Sequence, residues 1–172
     1  MSIFDLVRIG PDEWQELSLQ WEAQSGNFSE NFEDHASASM PVLEELALGP
    51  QLSDAGVFSF QRDGEFKVIA QFNATFLPGY TGKVLRVRHI VLSPRYELDE
   101  EITLDDYGEV LVGIFGGSLM LSIDKMPSDH VKFHLQSRAE RMFGEQFKEA
   151  LKESPHFKKV VMRGSWIYLS KA

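Results

Sequence analysis

The chain has 172 residues, of which 43% are hydrophobic and 25% charged. Such a chain is long enough for one buried core and leaves little room for a second. This composition excludes collagen-like, mucin-like and disordered classes, and the absence of cysteine excludes disulfides, thiolate metal sites and cysteine nucleophiles.

Charge is unevenly spread. The net charge is −9, and residues 97–109 carry seven acids and no base, whereas residues 125–172 hold ten bases against five acids. An acidic chain without a long basic run is a poor partner for nucleic acid, whose binding rests on neutralised phosphates. The basic excess near the C-terminus could attract a smaller anion, but a solvated charged surface is the default reading of such counts. The N-terminus has no basic stretch leading into an apolar run, so no signal peptide is expected. The apolar tract from Val110 to Ile123 is too short for a bilayer. A cytoplasmic location without a membrane partner is the expectation.

In chain order, Ile3 to Ile9 alternates as a short strand, and Gly10-Pro11-Asp12 breaks it. Asp12 suits a helix cap, and Trp14, Leu17 and Trp21 share one helical face. The polar stretch from Ser25 to Ser39 reads as a loop. A second helix follows Pro41, with Leu43, Leu46 and Ala47 on one side. Val57 to Phe60, Phe66 to Phe76 and Val84 to Leu92 predict an antiparallel meander, with turns at Arg62-Asp63-Gly64 and from Pro78 to Gly82.

A helix is predicted from Thr103 to about Ile123, with acids at its positive end. Its apolar residues lie nearly all round, so it reads as buried. Gly108, Gly113, Gly116 and Gly117 mark close packing or a bend. Val131 to Leu135 predicts a strand, and Arg138 to Lys152 an amphipathic helix with Met142, Phe143, Phe147 and Leu151 inward. Phe157 to Met162 and Trp166 to Leu169 close the chain as a hairpin.

This order of elements resembles that of the GCN5-related N-acetyltransferases across essentially the whole chain. Three runs carry the resemblance: Ile9-Gly10-Pro11-Asp12-Glu13-Trp14, Leu92-Ser93-Pro94-Arg95-Tyr96 and Ala139-Glu140-Arg141-Met142-Phe143. It implies one α/β (α+β) domain over residues 1–172, with a mixed central sheet of about seven strands and about four helices in the order β-α-α-β-β-β-α-β-α-β-β.

The resemblance also implies an acyl-CoA cosubstrate, typically acetyl-CoA, in a cleft between splayed fourth and fifth strands, and no metal. Backbone of Ile90 and Leu92 would pair with pantetheine. Arg95 and Gly108 would serve the phosphates at a helix N-terminus, where unpaired N–H groups favour anions, and Gln136 would supply an amide hydrogen bond. Two departures stand out. The family's Q/R-x-x-G-x-G/A turn aligns with Asp105-Asp106-Tyr107-Gly108-Glu109-Val110, preceded by an insertion at residues 97–102. An acid about 4 Å from a phosphate costs roughly 1 kcal/mol in water and about 4 at an effective dielectric of 20. Phe143 stands where many members carry a proton-donating Tyr.

His89 and His134 fall on the fourth and fifth strands, where an imidazole suits a general base or a hydrogen-bonded structural role. Arg86 and Arg88, expected on the face opposite His89, suit a carboxylate, a phosphate or plain solvent. Trp21, Phe28, Phe32 and Tyr80 could line an acceptor pocket, though each singly reads as core. The Ser, Asp and His between Asp124 and His130 are too close in sequence to make a triad.

The expected activity is acyl transfer from acyl-CoA, or from acyl-carrier protein, to the amine of a small acceptor by direct attack. His89 would act as base, with His134 as a weaker candidate. The acidic first half would favour a cationic acceptor, and solubility explains the same charge equally well. The alternative is an inactive binding or structural protein on the same fold. Homodimers are common in the family.

Overall fold

The computed structural model describes residues 4–172. In chain order the elements are β1 (Val7–Ile9), α1 (Pro11–Asn27), a 3-10 turn (Phe32–Asp34), α2 (Met40–Leu48), β2 (Ala55–Arg62), β3 (Glu65–Phe76) and β4 (Lys83–Leu92). Then follow α3 (Arg95–Leu98), α4 (Leu104–Leu121), β5 (His130–His134), α5 (Arg138–Lys152), β6 (Phe157–Arg163) and β7 (Trp166–Lys171). The fold is α+β around a seven-stranded mixed sheet of order β1-β2-β3-β4-β5-β7-β6. Neighbouring strands are antiparallel except β4 and β5, which run parallel.

Each sheet face has its own core. Phe58, Phe72, Leu85, Val87, Phe133 and Ile167 pack with Ile114 and Phe115 of α4 on one side. Trp14, Leu17, Trp21 and Leu43 from α1 and α2 cover Ile9, Val57, Ile69 and Val91 on the other. Burying a leucine such as Leu17 contributes about 1.5–3 kcal/mol. Trp21 is fully buried, and its indole N–H donates to the Phe66 carbonyl at 3.0 Å, so no polar group is stranded by its burial.

Helix starts follow local chemistry. Pro11 opens α1 with Asp12 and Glu13 in the first turn, as a preset φ and the helix dipole favour. Thr103 with Asp106, and Ser137 with Glu140, form capping boxes on α4 and α5, each satisfying two backbone donors.

Several boundaries differ from the sequence reading. β1 begins at Val7, and the expected start at Ile3 lies outside the described residues. Gly10, not Asp12, is the N-cap of α1, because Pro11 fixes a helical φ one residue earlier. Residues 95–98 form α3, an element the sequence reading does not assign. α4 is not apolar-buried all round: Val112 and Met120 face outward, 45% and 42% exposed. Met142 on α5 is likewise 54% exposed; Phe143, Phe147 and Leu151 share the inward stripe at four-residue spacing, which leaves it off that face.

The glycines of α4 answer to packing. A Cβ at Gly113 would sit 2.6 Å from the Phe60 ring, and one at Gly117 would sit 2.5 Å from the Leu6 side chain. The bare helix backbone is what lets α4 lie close on the sheet. Gly113→Ala is expected to destabilise the fold by about 1–3 kcal/mol despite alanine's better helix propensity, as read by urea denaturation.

Candidate functional site

The parallel ladder between β4 and β5 is short. Val84, Leu85, Arg86 and Val87 pair with His130, Val131, Lys132 and Phe133, and no pair follows. β4 runs on to Leu92 beside β3 alone, while β5 stops at His134 and the chain enters α5. The strands therefore part, and a cleft of about 520 Å³ opens between them. Its walls include Ile90, Leu92 and Ser93 of the β4 end, Tyr96, Tyr107, Gln136 and Glu140, and His35 and Ser39 from the α1–α2 connection.

A β-bulge sits at the point of parting. Ile69 and Gln71 of β3 oppose Val91 and Arg88 of β4, so three steps on β4 match two on β3. His89 takes up the extra residue at φ +52°, a left-handed conformation uncommon for a residue with a side chain. The bulge resets which way β4 side chains point. Ile90 joins the α4 core, while Val91 joins the α1–α2 core.

His89 Nδ1 lies 2.9 Å from the hydroxyl of Ser39, the N-cap residue of α2. Burial, the neighbouring Arg88 charge and His134 hold its pKa below the ordinary 6.5, so its neutral form dominates at pH 7. His89 stands beside the cleft wall rather than in it. His134 is close enough to perturb it, and its ring stacks on Trp166 with centroids 4.7 Å apart.

Of the residues singled out for a cosubstrate, Ile90, Leu92 and Gln136 line the cleft. Gly108 and Arg95 do not. A Cβ at Gly108 would lie 3.0 Å from the Phe143 ring, so this glycine makes room for an aromatic on α5. The Arg95 guanidinium is paired with Asp99 at 3.2 Å, half exposed.

The start of α4 caps itself through Thr103 and Asp106. The Asp106 N–H donates to Thr103 Oγ1, and the Asp106 carboxylate accepts from the Thr103 N–H at 2.9 Å. Those hydrogen bonds hold the Asp106 carboxyl below its usual range. With Asp105 beside it, the helix end that would attract a phosphate presents carboxylates instead.

Several cleft residues are not among the site residues expected from the sequence. His35, from the polar loop, meets an acceptor at each ring nitrogen: Nε2 is 2.8 Å from the Leu92 carbonyl and Nδ1 is 3.2 Å from Glu97 Oε2. The loop thus fastens onto the β4 edge that β5 leaves vacant. The Tyr107 hydroxyl donates to the Tyr96 carbonyl at 2.7 Å. Burial pushes the Tyr107 phenol up and that of Tyr96 to about 12, so both stay protonated. Glu140, 5% exposed, caps α5 through one carboxylate oxygen, while Oε1 is buried without a partner. Glu140 is one of the residues that line the cleft. Only the fold brings these residues together, since 72 positions separate His35 from Tyr107.

Among the described residues there is no group of three or more His, Asp or Glu side chains able to hold a metal, and no helix is long and apolar enough to cross a membrane.

His35→Ala removes two polar contacts, each of the kind that contributes about 0.5–1.5 kcal/mol. Hydrogen exchange is expected to speed up across residues 29–39 and at Leu92. Unchanged exchange would mean that the loop holds its place without the imidazole.

No family model matches this chain, and no curated protein matches it.

Proposed function

We propose that the chain is an acyltransferase of the kind the GCN5-related N-acetyltransferases represent, moving an acyl group from a pantetheine thioester to the amine of a small acceptor. One observation carries the reading: β4 passes its last β5 partner at Val87 and continues as a bulged strand along an open cleft. An extended pantetheine arm can add to such an edge as a further strand. The thioester then comes to rest near the bulge, where a turned peptide offers backbone to the carbonyl oxygen as charge develops on it.

The acceptor amine attacks the thioester carbon; the C–N bond forms, the C–S bond breaks, and the thiolate leaves to be protonated by water. His89 takes the proton lost by the amine. In the tautomer whose Nδ1–H donates to Ser39, Nε2 keeps the free lone pair that this role requires. No cysteine is present to hold an acyl group, so transfer is direct and the protein contributes mainly position.

The donor is recognised through its pantetheine rather than its diphosphate. The self-capped, acidic start of α4 and the Arg95–Asp99 pair leave a diphosphate without its usual partners. Acyl-CoA and acyl-carrier protein share the pantetheine arm, and residues 97–109 oppose the phosphates of one and the acidic surface of the other.

A second reading rests on a specific contact. His35 occupies the Leu92 carbonyl, which a pantetheine strand would use, and a binding or structural protein with a closed edge would have the same contact. The two readings predict different ligand responses, because a ligand of the native state raises its melting temperature.

S-acetylpantetheine is expected to raise the melting temperature at least as much as acetyl-CoA does at equal concentration. Replacing Asp105 with Asn should shift that balance toward acetyl-CoA by about fivefold in affinity. No shift with either thioester would remove the acyltransferase reading and favour the closed-edge one.

His89→Ala is expected to abolish turnover and leave thioester binding intact. Because the base must be neutral and its pKa is lowered, kcat/KM should rise with pH through an inflection below 6.5. A flat profile over that range, or turnover retained in His89→Ala, would remove His89 as the base.

A further inference from the structure

The sheet face that carries α1 and α2 extends beyond them. Pairing places Gln71 opposite Arg88, Asn73 opposite Arg86, Arg86 beside Lys132, Lys132 beside Tyr168 and His134 beside Trp166. All of these side chains are half-buried, whereas their strand neighbours on the α4 side, such as Phe72, Leu85, Val87 and Phe133, are buried completely. The bulge turns His89 toward Ser39 of α2, so Arg86 and Arg88 lie on the His89 side of the sheet. This corrects the expectation that they lie opposite it.

The cations of this face lack counter-charges. Among the described residues, none of Arg86, Arg88 and Lys132 has a carboxylate within 4.0 Å. Arg86 Nη2 donates to Asn73 Oδ1 at 2.9 Å, and the Lys132 ammonium lies over the Trp166 ring at 4.2 Å. Arg86 Nε and Gln71 Oε1 are buried without partners. Burial and the Arg88 charge lower the pKa of Arg86; burial, Arg86 and Arg88 lower that of Lys132.

In a chain of net charge −9, three mutually repelling cations without an acid among them are an energetic conflict within the folded protein. An anion seated between them resolves it, and two guanidinium groups supply the forked donors that carboxylates and phosphates accept.

We propose that this open face, formed by Arg86, Arg88 and Lys132 beside Trp166, binds the carboxylate or phosphate group of the small acceptor. The anion site needs only the cluster. Calling its ligand the acceptor rests on the acyl-transfer reading, in which the amine enters past His89, the residue next to Arg88. The acceptor is then an amine that also carries an acid group, rather than the purely cationic molecule that the acidic N-terminal half suggested.

The test titrates the full chain with succinate and, separately, inorganic phosphate at constant ionic strength and without thioester. The readouts are the arginine Nε–H and tryptophan indole NMR signals. Saturable shifts at Arg86, Arg88 and Trp166 are expected, and the preferred probe tells carboxylate from phosphate. Arg88→Gln should weaken binding at least about tenfold while the ligand-free variant melts higher, since repulsion is relieved. Lys132→Gln should weaken binding in the same sense, and Lys159→Gln on the exposed side of β6 should leave it unchanged.

Absence of saturable shifts with both probes, or shifts equally large in Arg88→Gln, would overturn the site. Because no thioester is present, anion binding in a protein without turnover would remove acyl transfer and leave the site standing. Turnover without anion binding would remove the site alone.

Discussion

Parallel strands share hydrogen bonds only while they stay within about 4.8 Å of each other, and here that condition ends four pairs into the β4–β5 ladder. The rest of the site follows from this early ending. β4 keeps its β3 partner to Leu92, so it stays extended and ordered while its other edge is released. The bulge at His89 makes the release compatible with an intact β3 ladder. One extra residue absorbs the change in twist and turns the strand away from β5. A left-handed non-glycine residue of this kind costs on the order of 1–3 kcal/mol, which the two cores on either side of the sheet outweigh.

The cleft and the open sheet face meet at that bulge, and they differ in electrostatics. Around the start of α4, carboxylates crowd a helix end whose Asp106 N–H is already bonded to Thr103. Across the sheet, Arg86, Arg88 and Lys132 stand together, with no carboxylate within 4.0 Å among the described residues. A charge of −9 for the chain hides this division. The proposed chemistry uses both ends: pantetheine, which is neutral, on the strand edge, and an anionic group of the acceptor on the cations. His89 lies between them, held by Ser39.

Much of the architecture was legible in the sequence because it rests on short-range rules. The meander from Ala55 to Leu92 follows from alternating apolar residues broken by Asp63-Gly64, both at positive φ. α4 and α5 follow from capping chemistry at Thr103 and Ser137. What failed is equally local in cause. Pro11 moved the start of α1, and helical phase put Val112, Met120 and Met142 outside. Ile90, Leu92 and Gln136, which line the cleft, were named through the resemblance alone. His35 was not, because nothing within its loop foretells a bond to a carbonyl 57 residues away.

The amino-acid order alone determined the succession of strands and helices, the two apolar faces of the central strands and the acidic stretch before α4, since each depends on neighbours within a few residues. Only tertiary structure decided where β5 lets go of β4, that the bulge falls on His89 and reverses the facing of the residues beyond it, and that three cations from two strands share one face. Those features depend on pairing between distant segments, and one residue of slippage in that pairing would send every side chain to the opposite face.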